Sequence, residues 1–137
     1  LGQFSRPHFE PVQPAAERAT ITAMQDILRH QRFTRQLGRF SDRLDDLMLE
    51  LRRFEPTRLP PELLDEMAST LGELMLVLIE HKDSDGAKTS TGRAASDAQN
   101  LRESVRLGRL QYNQLTEALG TLRQELGVVI HEDKQAA

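Results

Sequence analysis

AASDAQNLRESVRLGRLQYNQLTEALGTLRQELGVV, residues 94–129, carries an apolar stripe through five heptads. Ala94, Ala98, Leu101, Val105, Gly108, Tyr112, Leu115, Leu119, Leu122, Leu126 and Val129 follow one another at steps of four and three. That spacing lines one narrow face of an α-helix, and such a seam exists to be covered by other helices. It predicts a single long helix that starts near Thr91, or at Ser96 where Ser96-Asp97-Ala98-Gln99 fits a capping box, and ends near His131. Gly108 lies in the seam, with Gly120 and Gly127 beside it. Each costs a helix about 1 kcal/mol relative to Ala, so their expected use is close approach of another backbone. Val128-Val129-Ile130 is strongly β-branched, which suggests a frayed end or a short extended segment docked on a partner.

Upstream, Phe33, Leu37, Phe40, Leu44, Leu47, Leu51 and Phe54 form a second seam of the same period. It passes Gly38 and Ser41 without losing register, so one helix of about 40 residues, or about 60 Å, is expected from Pro14 or Ala15 to Phe54. The turn Glu55-Pro56-Thr57-Arg58-Leu59 leads to Pro60-Pro61, where a helix of about 22 residues, about 33 Å, begins. Its stripe is Leu64, Met67, Leu71, Leu74 and Leu78. From Leu74 onward apolar residues surround it, which predicts cover on several faces. His81 through Gly92 reads as a polar loop with two glycines.

The expected fold is therefore all-α: an elongated antiparallel helical bundle of two long helices and one shorter helix with coiled-coil-like seams. Residues 1–14, with Pro7, Pro11 and Pro14, read as an extended arm that cannot fold alone; residues 15–137 read as one helical-bundle domain. The short middle helix covers only part of each long one. Seam is then left over on Met24, Leu28, Ile21 and Ile27 at one end and on Leu115, Leu119, Leu122, Leu126 and Val129 at the other, and exposed seams mark association sites. The preferred reading is a non-enzymatic protein–protein interaction module, a structural or assembly subunit completed by other protein chains or by self-association. The same lengths also admit a long helix that bends back at Gly38 or Gly120 and closes a four-helix bundle within one chain.

Composition narrows the function classes. The chain has 137 residues, 38 % apolar, with a net charge of −3, no Cys, five Phe and one Tyr. One domain with an aliphatic core fits that length. Near-neutral charge gives no nucleic-acid footprint, and the missing thiols remove disulfides and thiolate metal sites. No stretch approaches the roughly 20 apolar residues needed to cross a bilayer. No signal-peptide pattern opens the chain, and Leu1 in place of Met reads as a processed or trimmed start.

Groups that carry chemistry are sparse. His81, Asp83 and Asp85 beside Glu80 resemble the start of a calcium loop, but Lys88 stands where that loop needs Gly and Ala94 where it needs Glu, so a solvated loop is expected. Asp26 and His30 lie one turn apart without the Glu-x-x-His pairs of a di-iron bundle. His8, His30, His81 and His131 are scattered along the chain, and no nucleophile elbow or phosphate loop is present; no cofactor, metal or catalytic residue is expected. The alternative function is a membrane-localisation module, as in a secreted bacterial effector. There Arg52, Arg53 and Arg58 would meet anionic phospholipid while Phe54 and Leu59 enter the interface. Helix-end charge complementarity explains the same arginines.

Overall fold

The computed structural model describes residues 15–85 and 89–136, all of them in helices or short turns. The Pro-containing arm expected over residues 1–14 lies outside the described residues, as do Gly86, Ala87 and Lys88 of the expected loop. Among the described residues four helices follow one another: α1 Ala15–Leu51, α2 Pro61–Asp85, α3 Thr89–Arg106 and α4 Tyr112–Ala136. No strand occurs among the described residues, and none of these helices is long and apolar enough to cross a membrane.

The expected third helix is two helices, and the chain turns back between them at Gly108. Its φ of +65° lies in the left-handed region, where a side chain is strained. Around it the Arg109 N–H donates to Ser104 O at 3.0 Å and the Gly108 N–H to Val105 O at 3.2 Å. These two bonds are a Schellman stop. The next helix is started by the reverse device: the Gln111 N–H donates to the Gln114 side chain at 3.0 Å, half of a capping box. The seam keeps its phase through the turn, so heptad spacing alone does not reveal the break. At α2, Pro61 takes the first helical position and the Leu63 N–H donates to Pro60 O at 3.1 Å.

Cross-helix contacts set α1 antiparallel to both α2 and α4. Arg43 donates to the Thr70 hydroxyl at 2.8 Å while Phe33 stacks on His81, which sets α1 against α2. Arg123 grips Asp45 through two nitrogens at 3.1 and 3.3 Å, and His30 meets Asp133, which sets α4 against α1. Ser90 bonds Glu132 across α3 and α4. A single buried cluster draws Leu37, Leu44, Leu71, Leu78, Ala98, Leu119 and Leu126 from all four helices. Ala94, Ala95 and Ala98 give α3 a thin face, and α2 is its most extensive neighbour.

This arrangement corrects three expectations. Leu115, Leu119, Leu122, Leu126 and Val129, read as an uncovered partner seam, are at most 2 % exposed, because the turn at Gly108 lays α4 back along α1 and α3. Val128, Val129 and Ile130 are helical rather than extended, and no described group stands within 4 Å of where a Cβ at Gly120 or Gly127 would lie. The cover expected around the end of α2 is partial: Leu76 is 63 % exposed and Ile79 stands open beside it. The chain turns back at Gly108 rather than at Gly38 or Gly120.

Candidate functional site

Toward its N-terminus α1 outruns the bundle. Every residue from Ala15 to Arg29 is exposed, a length of about 22 Å at 1.5 Å per residue. The seam positions there are Ala16, Ala19, Ala23 and Asp26, all exposed. Ile21, Met24, Ile27 and Leu28 are 39 to 58 % exposed. At about 100° per residue their mean direction lies about 170° around the helix from the seam of residues 33–51. Met24 and Leu28 are therefore uncovered as expected, but on the opposite face from the core rather than on a leftover part of it.

Where α1 enters the bundle, the seams of all four helices end in a polar residue. Continuing the steps of three and four leads from Phe33 back to His30, from Leu78 to His81, from Ala94 back to Thr91, and from Val129 to Asp133. Thr91 and Asp133 are each 3 % exposed. The imidazoles of His30 and His81, exposed by 14 and 9 %, both approach Asp133 Oδ1: His30 Nδ1 at 2.6 Å and His81 Nε2 at 3.2 Å. The Thr34 hydroxyl lies 3.0 Å from Asp133 Oδ2 and 2.8 Å from His30 O, and its one proton serves one acceptor at a time. Phe33 stacks on the His81 ring at 3.5 Å between centroids and 4° between planes, fixing the ring's orientation.

The histidines that look scattered in sequence thus include two that converge. Asp26 does not join them: it accepts from Arg29 at 3.0 Å on the exposed face. His131 is exposed. Of the residues weighed for a cation loop, His81 faces Asp133, and α2 stays helical through Asp85. Two imidazole nitrogens and one carboxylate oxygen, all within 4.8 Å of one another, can hold either shared protons or a small cation. Beside them opens a cleft of about 410 Å³ bounded by Gln31, Thr34, Arg35 and Lys134.

A second polar pair lies between α3 and α4. Glu125 and Asp97 line a cleft of about 450 Å³. Burial, then the hydrogen bond and negative charge of Asp97, push the Glu125 carboxyl up to about 7 against the lowering influence of Arg93. At the turn after α1, Arg52, Arg53 and Arg58 face solvent, with Arg53 pairing Glu50 at 3.2 Å, whereas Phe54 and Leu59 pack partly onto the core. Only the cationic half of that patch is presented outward.

Comparison of the chain with protein-family models, with curated proteins and with solved structures finds no match.

Proposed function

We propose that this chain is a non-enzymatic helical association module, and that the extension of α1 is its docking element. The observation that carries the reading is the exposed stripe of Ile21, Met24, Ile27 and Leu28 on a length of helix that no other described element covers. Helices in proteins gain most of their stability from packing an apolar face, so a bare extension calls for another helix. The i, i+3, i+7 spacing of Ile21, Met24 and Leu28 fits helix-against-helix docking, either in a groove or in a short coiled coil.

A second copy of this chain is the partner most directly tested. Met24→Asp with Leu28→Asp places two charges on the stripe without touching the core. Size-exclusion chromatography with light scattering should give an oligomer for the wild type and a monomer for the double variant, with circular dichroism showing that the bundle itself stays folded. A wild type that is monomeric throughout would sink the proposal in its self-association form. The membrane alternative gains no support from Phe54 and Leu59, which are turned toward the core.

A further inference from the structure

We infer that His30, His81 and Asp133 form a binding site for one divalent transition-metal ion of the zinc class, joining α1, α2 and α4 where the α1 extension leaves the bundle. Both imidazoles aim a nitrogen at the same carboxylate oxygen, at 2.6 and 3.2 Å. Around a tetrahedral zinc ion with bonds of about 2.0 Å, neighbouring ligand atoms stand about 3.3 Å apart. The two separations to Asp133 lie within about 0.7 Å of that value. Small rotations of three side chains would admit the ion.

The donor set selects the metal. Two imidazoles and one carboxylate suit zinc and its divalent first-row neighbours, whereas calcium and magnesium call for oxygen ligands. Supporting contacts are already in place. Thr34 holds the other oxygen of Asp133, and Phe33 clamps the plane of His81. The three groups occupy seam positions whose next neighbours are Phe33, Leu78 and Val129, so the helices that build the core also aim the ligands inward. Polar groups at such positions cost stability relative to apolar ones, and coordination offsets that cost. The adjoining cleft gives water access to a fourth position, and Arg35 and Lys134 along it favour a hydroxide or another anion there.

The test uses the full chain, stripped with a chelator and titrated with Zn²⁺ by calorimetry and with Co²⁺ by visible absorption. The site requires one ion per chain, the intense visible bands of four- or five-coordinate Co²⁺, and their loss on adding Zn²⁺. His81→Ala and Asp133→Asn should each weaken Zn²⁺ binding by more than about 100-fold, and Thr34→Val by about 10- to 100-fold as an outer partner. His131→Ala should leave binding unchanged. Circular dichroism checks folding, and if His81→Ala unfolds, Asp133→Asn decides, because the amide keeps the shape and one acceptor oxygen. Absence of stoichiometric uptake by the wild type, or undiminished uptake by folded Asp133→Asn, overturns the site. Binding is read at concentrations where the chain is monomeric, so the result does not depend on association.

Discussion

Replacing Glu125 with Gln should stabilise the domain at pH 8 and leave it unchanged at pH 4. The Glu125 carboxyl is raised from 4.5 to about 7 in the folded chain, so folding favours its protonated form. Below pH 4.5 the group is protonated in both states and the fold carries no penalty from it. As pH rises from about 4.5 to 7, the unfolded chain releases the proton first and stability falls; above 7 the loss is complete. At 1.36 kcal/mol per tenfold change in proton affinity, the full rise corresponds to about 3 kcal/mol. Water reaching the partly open cleft screens the pair and reduces this to about 1–2 kcal/mol. Gln keeps the shape and cannot ionise, so it removes that loss, and a domain of this size should gain about 5 °C in Tm at pH 8. Urea melts of both proteins at pH 4, 6 and 8 would show a difference that opens with pH. A difference independent of pH, or a variant less stable at pH 8, would refute the assignment.

Leu122→Asp should unfold the domain rather than detach a partner, because Leu122 is 1 % exposed within this chain and a buried unpaired charge costs more than about 3 kcal/mol. Thermal circular dichroism reads this directly; a folded variant would place Leu122 at an interface between chains instead. Gly108→Ala should cost about 1–2 kcal/mol from left-handed strain alone, since a Cβ there meets nothing within 4 Å. Equal urea midpoints for the variant and the wild type would show that the chain does not turn back at Gly108.

The helical class and the start of α2 were legible from seam spacing and from Pro60-Pro61. The break in the third seam was not, because residues 105, 108, 112 and 115 keep the heptad phase across the turn. Two local signals did mark it: Gly108 as a left-handed stop and Gln111-x-x-Gln114 as a start. The polar layer was equally written in the pattern, since His30, His81, Thr91 and Asp133 each continue a seam by one step. The histidines look scattered in sequence because each lies one step beyond the apolar end of its seam. The stripe of Met24 and Leu28 was legible as apolar, but its place opposite the core follows only from the angular phase of α1. The carboxyl pair of Asp97 and Glu125 depends on how α3 lies against α4, which the sequence pattern does not specify.

Sedimentation equilibrium over a wide range of concentrations, on the wild type and on Met24→Asp with Leu28→Asp, tests the docking role of α1 most directly. A wild type whose mass rises with concentration, beside a double variant that stays monomeric and still melts cooperatively, is the predicted outcome; the two charges should weaken association by more than about 100-fold, or about 3 kcal/mol. A wild type that remains a monomer at every concentration, or an oligomer that the double variant preserves, would contradict it.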